Sequence, residues 1–182
     1  MIPSDPVGRE PTLAVAADAS PWATRGCAAY LPDPEELRDL CSLLSLAERV
    51  LIASPDADAT AARLLGVVLE DLGFFAQVVN ARTIHRVDPY DTVVAVCAAE
   101  VDPALIHLLR PALQARAALL AVTVSRQSAL LPLADAAITV PGLPDGGPPA
   151  GQTSFSVGFD LRLIVAVDAI RRDLERRRGT PC

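Results

Sequence analysis

The stretch that decides the fold is VLIASPDADATAARLLGVVLEDLGF, residues 50–74. It opens with an apolar run at 50–53, which is typical of a parallel strand buried on both faces. Small and acidic residues follow at 54–59. From Thr60 onward the apolar residues recur every three or four positions until Gly73, which is the pattern of an amphipathic helix that ends at a glycine. The stretch therefore predicts a strand, a loop and a helix in succession.

The same alternation of strands and helices continues along the chain. We predict strands at 50–53, 76–79, 92–97, 119–124 and 136–140, and helices at 34 to about 49, 60–72, 103–117, 126–133 and 157–178. Asp33 and Pro34 are a typical N-cap and first helical residue, whereas Pro111 is expected to kink the third helix or to end its first half. Together these elements predict an α/β fold, a three-layer doubly wound sheet of five parallel strands.

The length and composition favour a single globular domain. With 182 residues, 51% hydrophobic and 21% charged, the chain is long enough for one full core. Residues 1–34 are rich in proline and alanine and are expected to form an N-terminal arm, and residues 35–182 a single domain.

The charge and hydropathy patterns exclude several classes of partner. The net charge of −6 argues against nucleic acid and against an anionic membrane, because both require clustered cations. No apolar run reaches the roughly 20 residues that span a bilayer, and the N-terminus lacks the features of a signal peptide, so a cytoplasmic protein is expected. All 16 basic residues are arginines, which excludes a Schiff base on a lysine.

The four cysteines, Cys27, Cys41, Cys97 and Cys182, are widely separated. They show no C-x-x-C spacing and no cysteine–histidine ligand pattern, so we expect free or buried thiols and no metal site. Nothing in the sequence indicates a cofactor. On a doubly wound sheet, ligands bind beyond the carboxyl ends of the strands, so the predicted site lies in the loops at 54–59, 80–90, 97–102 and 124–128.

Four segments of the chain resemble the sugar isomerase (SIS) family, in particular its 6-phospho-3-hexuloisomerase type. The stretch 50–74 is similar to the first strand, phosphate loop and helix of that family, and 78–91 to its second strand and the loop after it. TVSRQSALLPLADAAITVP at 123–141 and SVGFDLRLIVAVDAI at 156–170 resemble its fourth and last segments. The resemblance implies a sheet of flavodoxin-like strand order, a small-molecule ligand derived from a sugar, and a homodimer or homotetramer.

The loop that binds phosphate in the family is altered in this chain. The family's G-x-G-R-S-G pattern falls on SPDADA at 54–59. Ser54 and Asp56 thus replace glycines, Ala57 replaces the arginine, and Asp58 replaces the serine that binds phosphate. Two aspartates at the mouth of this loop would repel a phosphate dianion. We therefore do not expect a phosphorylated sugar to bind tightly in the family's usual mode.

Three residues are candidates for acid–base catalysis. By resemblance, Asp160 corresponds to the catalytic glutamate at the start of the last helix, and Glu100 is the one polar residue kept from the family's second loop. His85, in the loop after the second strand, is the third candidate. Each has a simpler interpretation: Asp160 as an acid that stabilises a helix N-terminus, and His85 as a solvated loop residue.

Seven further residues are candidates for substrate binding: Ser54, Asp56, Asp58, Arg82, Arg86, Ser125 and Ser128. The aspartates would suit an amino-bearing ligand, but an aspartate before residue 60 would equally cap the helix that follows. Ser125 and Ser128 would equally cap the short helix at 126–133, and the two arginines would equally lie on the surface.

The leading functional hypothesis is an SIS-like isomerase that moves a proton between the carbons of an aldose–ketose pair on a sugar-derived small molecule. One alternative is a divergent enzyme of the same fold acting on an unphosphorylated or amino-bearing metabolite. The other is a non-catalytic module that binds a ligand or a partner.

Overall fold

A computed structural model describes residues 31–55, 59–80, 83–84, 86–97, 103–123, 126–140 and 157–179, without the side chains of Ala59 and of residues 157–162. The helices are α1 (Pro34–Leu44), α2 (Ala59–Asp71), α3 (Pro103–Ala115) and α4 (Val157–Arg178), and the strands are β1 (Arg49–Ala53), β2 (Ala76–Val79), β3 (Asp91–Cys97), β4 (Ala118–Thr123) and β5 (Ala136–Thr139). None of the helices in these ranges is long and apolar enough to span a bilayer.

The five strands form one parallel sheet in the order β2-β1-β3-β4-β5. This confirms the predicted α/β class and the flavodoxin-like order. The residue register aligns the ends of β1, β3 and β4 along the two edges of the sheet. Arg49 pairs with Asp91 at the amino edge of the sheet, and Cys97 pairs with Thr123 at the carboxyl edge. The strand ends that should carry the site therefore lie along one edge.

Helices cover both faces of the sheet, as predicted for three layers. Alternate strand residues point to opposite faces, so the sheet contributes to two separate cores. One core joins the sheet to α1, α2 and α4 through residues such as Leu40, Leu65 and Ile170. The other joins it to α3 through Leu105 and Leu109, with loop residues at its margins. Only α3 covers this second face among the described helices.

The connection between β2 and β3 has no helix in its described residues. Ile84 is buried in the core on the α3 side, and Val87 packs against the same core. The loop thus contributes apolar side chains to the second core. The loop between β4 and β5 does the same through Leu130, which is fully buried, and a 3₁₀ turn at Leu131–Leu133. A helix was predicted at 126–133, but only residues 131–133 of this range are helical.

The ends of the helices follow the predicted capping residues. Asp33 caps α1, because its carboxylate accepts hydrogen bonds from the backbone N–H groups of Glu35 at 2.8 Å and Glu36 at 3.4 Å. Gly73 ends α2 with a φ of +79°, a conformation that favours glycine. The next residue, Phe74, donates its N–H to the carbonyl of Leu69 at 2.9 Å, as in a Schellman motif.

Besides the turn at Leu131–Leu133, helices α1 and α3 differ from the sequence prediction by more than one residue. Helix α1 ends at Leu44 rather than near residue 49, because Ser45 closes it with backbone and side-chain bonds to the carbonyl of Cys41 and because Arg49 already belongs to β1. Helix α3 continues through Pro111 to Ala115. Proline lacks an N–H and therefore removes one hydrogen bond, but Leu108, Leu109 and Ala112 on either side stay buried. Core packing therefore holds both halves of the helix.

Candidate functional site

The candidate site lies at the carboxyl edge of the sheet, where β1 and β3 are neighbours. Strand β1 is followed by α2 on one face, and β3 is followed by α3 on the other. Neighbouring strands followed by helices on opposite faces make a switch point, and such a point opens a crevice in doubly wound folds. The segments that follow β1 and β3 are those whose sequence resembles loops of the SIS family.

The structure describes some of the predicted site residues. Ser54, Arg86 and Ser128 are described with their side chains, and Asp160 with its backbone. The others lie outside the described residues: Asp56, Asp58, Arg82, His85, Glu100 and Ser125.

Ser54 directly follows β1 at the switch point. The strand ends at Ala53, which is fully buried, and Ser54 is only partly buried. The chain therefore emerges from the core at this residue. The hydroxyl of Ser54 lies at the edge where the predicted crevice begins, and it remains a candidate ligand contact.

The loop after β2 begins with a turn held by side chains. The hydroxyl of Thr83 accepts a hydrogen bond from the N–H of Asn80 at 2.8 Å and donates to the carbonyl of Asn80 at 3.3 Å. The same carbonyl accepts the backbone N–H groups of Thr83 and Ile84 at 3.0 Å. Asn80 and Thr83 are exposed, whereas Ile84 is buried. Polar groups therefore stand at the carboxyl end of β2 on an anchored turn, although sequence reasoning did not select them.

The side chain of Ser128 is buried in the structure. Its hydroxyl accepts a hydrogen bond from the N–H of Leu130 at 3.3 Å, and its carbonyl accepts one from Leu131 at 3.1 Å. These bonds start the turn that places Leu130 in the core. The hydroxyl of Ser128 therefore holds a turn just before the 3₁₀ element, whose own N-cap position is Leu130, and a substrate contact of Ser128 stays a prediction.

Arg86 lies at the opposite edge of the sheet from the crevice. Its carbonyl accepts a hydrogen bond from the guanidinium of Arg49 at 3.3 Å, and its own guanidinium is 3.3 Å from the carboxylate of Asp88. Arg49 and Asp91 begin β1 and β3, so this group marks the amino edge. The loop after β2 has crossed the sheet by residue 86. The structure therefore does not bring Arg86 together with Ser54.

The ion pair between Arg49 and Asp91 fixes the amino edge. The Nε of Arg49 donates to Asp91 Oδ1 at 2.8 Å, the second guanidinium nitrogen contacts Oδ2, and the N–H of Asp88 also donates to Oδ2 at 2.7 Å. Burial raises the pKa of Asp91, but these hydrogen bonds and the charge of Arg49 outweigh it, so the net pKa is lowered. The carboxylate stays ionised and joins two strands to the loop.

Both described cysteines are buried and outside any disulfide, as predicted. Cys97 ends β3 with 1% of its surface exposed, and Cys41 lies within α1. Burial and the neighbouring carboxylate of Asp173 raise the pKa of the Cys41 thiol to about 12. A thiol with so high a pKa is not a nucleophile near neutral pH. His107 is exposed on α3.

Asp160 lies in the first turn of α4, where the resemblance placed it. Helix α4 packs against α1 and α2 on one face of the sheet. It is held at its other end, where a guanidinium nitrogen of Arg177 donates to the carbonyl of Arg38 at 2.9 Å and Arg178 contacts the carbonyl of Leu72. The arginines of the last turn thus fix α4 to both neighbouring helices. Basic residues at this position also interact favourably with the helix dipole.

A second concave surface lies between α1 and the edge strand β5. It is lined by Asp33, Glu35, Glu36, Asp39, Arg126 and Asp135, together with Ala136 and Ala137. Three of its carboxylates already have structural partners: Asp33 caps α1, Glu36 accepts the N–H of Thr139 at 2.7 Å, and Asp135 accepts the N–H of Leu119 at 2.8 Å. Within the described ranges, no group of three or more histidine, cysteine or acidic residues is arranged to hold a metal ion.

The fold is shared with solved structures of sugar isomerase domains. No protein-family model and no curated protein matches the chain. The sugar isomerase domain of an RpiR transcription factor from Sphaerobacter thermophilus matches with a TM-score of 0.70 and 18% identity over 85% of this chain and 84% of that one.

Two further structures agree with this match. The NanR protein of Vibrio vulnificus, complexed with ManNAc-6P, matches with a TM-score of 0.68 and 17% identity over 92% of this chain and 66% of that one. A protein from Methanococcus jannaschii, whose structure infers a 3-hexulose-6-phosphate isomerase function, matches with a TM-score of 0.66 and 14% identity over 81% of this chain and 80% of that one. The chain therefore has the fold of the sugar isomerase domain, as the resemblance implied.

Proposed function

We propose that this chain binds a sugar-derived small molecule in the crevice at the carboxyl edge of its sheet and isomerises it between aldose and ketose forms. One observation carries the proposal. The strand order brings the ends of β1 and β3 together, and the segments that follow them are those that resemble the substrate loops of SIS isomerases. The isomerase inferred for the protein from Methanococcus jannaschii supports this class of reaction on the same fold.

The reaction requires a base that moves a proton between two carbons and a second group that moves a proton between the two oxygens. In the proposed chemistry, the carboxylate of Asp160 removes a proton from the carbon beside the carbonyl, which leaves an enediol, and returns it to the former carbonyl carbon. A second proton moves from the hydroxyl oxygen to the carbonyl oxygen, through Glu100 or His85. All bonds balance without an oxidant or a cofactor. Carboxylates and imidazole are suited to such transfers when their pKa values lie near the working pH.

The experiment that tests catalysis is proton exchange followed by NMR in D₂O. Aldose and ketose sugars, phosphorylated and free, are incubated with the full chain, and the loss of the exchangeable C–H signal is measured. Asp160→Asn should abolish exchange. The matched control, Asp168→Asn, removes the same charge from a residue of the same helix that pairs with Arg171 and Arg172. It should retain exchange, and absence of exchange in the unmodified chain would contradict the isomerase.

The second candidate is a ligand-binding module without catalysis. The structural neighbour from Sphaerobacter thermophilus is a domain of a transcription factor, which favours such a use of the fold. The exchange of a phosphate-binding serine for Asp58 also favours a ligand other than a sugar phosphate. A thermal-shift screen with amino sugars, free sugars and ManNAc-6P distinguishes the two candidates. Stabilisation without exchange in the NMR experiment supports the module, because a ligand that binds only the folded state raises the melting temperature.

A further inference from the structure

A groove runs along the side of the sheet beside β5. This strand is the last in the order β2-β1-β3-β4-β5, so one of its sides faces β4 and the other has no strand beside it among the described residues. Helix α1 packs against β5 and forms the wall of the groove. We call this surface the β5 groove, and its lining residues are Asp33, Glu35, Glu36, Asp39, Arg126, Asp135, Ala136 and Ala137.

The backbone of β5 turns hydrogen-bonding groups toward this groove. The N–H of Thr139 donates to the carboxylate of Glu36 on α1 at 2.7 Å, whereas the N–H of Val140 donates to the carbonyl of Thr123 on β4 at 2.7 Å. Successive residues of a strand turn their N–H and C=O groups to opposite sides, so Ala137, two residues before Thr139, also turns these groups away from β4. Backbone groups at the edge of a sheet are a template for a further strand.

The charge of the β5 groove is strongly negative. Five carboxylates line it against the guanidinium of Arg126. Those of Asp33, Glu36 and Asp135 accept backbone N–H groups. An ionised carboxylate keeps its charge and further lone pairs in such bonds, so these three residues still contribute to the negative potential of the groove.

Glu35 and Asp39 are the two remaining carboxylates of the groove. Both are exposed, and neither forms an ion pair with any residue that the structure describes. They are four residues apart on α1, and side chains at this spacing are neighbours on a helix surface, where two like charges are destabilising. A cationic side chain placed against both carboxylates would remove this repulsion.

These charges select the kind of occupant. The chain has a net charge of −6, and two copies of an acidic groove would repel each other, so a second copy of this chain is a poor occupant. An extended segment with positive side chains matches both the backbone groups of Ala137 and the carboxylates of α1. Addition of a strand to a sheet edge is a recurrent way to bind such a segment.

We propose that the β5 groove binds an extended, arginine- or lysine-rich segment of another protein, which adds to the sheet as a strand beside β5. Its backbone pairs with Ala137, and its cationic side chains contact Glu35 and Asp39. The proposal is independent of the proposed function, because the groove lies beyond β4 rather than at the switch point between β1 and β3, and its test measures peptide binding.

The first test measures binding of a fluorescein-labelled peptide, TRVRVRT, to the full chain by fluorescence anisotropy. We expect saturable binding that weakens as salt is raised, and no binding of TEVEVET. Glu35→Gln combined with Asp39→Asn should raise the dissociation constant about tenfold. Glu70→Gln combined with Asp71→Asn is the matched control, because it removes the same two charges from the exposed end of α2, and it should leave the constant unchanged.

The second test separates strand pairing from charge attraction. Two further peptides carry N-methyl groups on alternate residues, one at its arginines and the other at its valines. Only alternate N–H groups of an added strand face β5, so one of these peptides should lose binding while the other keeps it. Ala137→Pro, which removes an N–H at an edge position where proline is tolerated, should also abolish binding of TRVRVRT.

Two results would overturn the proposal. One is the absence of TRVRVRT binding to the unmodified chain. The other is equal binding of the two methylated peptides, because the contact would then be charge attraction without an added strand. The methylated peptides leave the protein unchanged, so this second result does not depend on the folding of a variant, and circular dichroism checks the fold of the variants themselves.

Discussion

At the residue scale, the ion pair between Arg49 and Asp91 shows how one buried carboxylate joins three segments. Asp91 accepts hydrogen bonds from Arg49 and from the N–H of Asp88, so it connects β1, β3 and the loop that precedes β3. We expect Asp91→Asn to lower the free energy of unfolding at pH 7 by about 2 kcal/mol, because a buried hydrogen-bonded charge pair is broken. Chemical denaturation measures this change.

The pH dependence of that effect has a defined sign. The folded-state pKa of Asp91 is lowered, so its contribution is complete above the unfolded value of about 3.9 and is lost as the pH falls through the folded pKa. The stability curves of the unmodified chain and of Asp91→Asn should therefore converge in acid. Asp88→Asn is the control, since Asp88 is half exposed and 4.0 Å from Arg49, and it should change stability by less than about 0.5 kcal/mol.

The ionisation of Cys41 affects stability in the opposite direction, because its pKa is raised rather than lowered. Its folded-state pKa is about 12, whereas an unfolded thiol ionises near 8.5, so folding favours the protonated thiol and stability should fall as the pH rises above about 8.5. The chain has no lysine to titrate in the same range. Cys41→Ala removes the group, so the stability difference between the unmodified chain and this variant should shrink between pH 8 and pH 11. Parallel curves would contradict the assigned environment of Cys41.

At the scale of elements, the sequence predicted the strands closely because each is a short apolar run. β2 and α4 have the predicted bounds; β1, β3 and β5 differ by one residue at one end, and β4 differs by one residue at each end. The deviations arise where tertiary structure overrides local pattern. Arg49 belongs to β1 because it pairs with Asp91 on the neighbouring strand β3. Helix α3 continues beyond Pro111 because residues on both sides of this proline are buried in the core. Neither partner is visible in the local sequence.

A side chain of helix α1 binds the backbone at an open edge of the sheet. Strand β5 is an edge strand, and the carboxylate of Glu36 accepts the N–H of Thr139 in place of a further strand. We expect Glu36→Ala to lower the free energy of unfolding by about 1–2 kcal/mol, because it leaves that N–H without its acceptor. Thermal or urea denaturation measures this loss.

The neighbouring acid is the control for this prediction. Glu35 lies in the same first turn of α1 and is exposed, so Glu35→Ala removes the same charge from the helix N-terminus and keeps the bond to Thr139. It should cost only a few tenths of a kcal/mol. Equal losses in the two variants would assign the effect of Glu36 to the helix dipole rather than to the edge of the sheet.

At the scale of the whole molecule, the fold was more predictable than the site. Apolar runs specify buried strands, and the order of elements limits their arrangement, so the sheet followed from the sequence. The site depends on where loops go after they leave the strands. Arg86 follows β2 by seven residues and was placed at the crevice, yet the structure has it at the amino edge, beside Arg49. Asn80 and Thr83 hold their turn through hydrogen bonds that no sequence motif predicts.

The charge of the crevice provides the last prediction. Asp58 directly precedes α2, which begins at Ala59, and serine caps a helix about as well as aspartate. Asp58→Ser should therefore leave stability without ligand nearly unchanged while it restores the hydroxyl that SIS proteins carry and removes a negative charge. We expect the affinity for ManNAc-6P or inorganic phosphate to rise about tenfold, as measured by thermal shift or calorimetry.

Asp71→Ser is the matched control for the crevice, because Asp71 ends the same helix about 18 Å from its start and the substitution makes the same change of charge. A local effect of Asp58 requires that Asp71→Ser bind phosphate no better than the unmodified chain. Equal gains in both variants would mean that net charge alone governs binding. No gain in Asp58→Ser would mean that the loop at 54–59 does not meet the ligand, and the comparison with the family's phosphate loop would then fail at this residue.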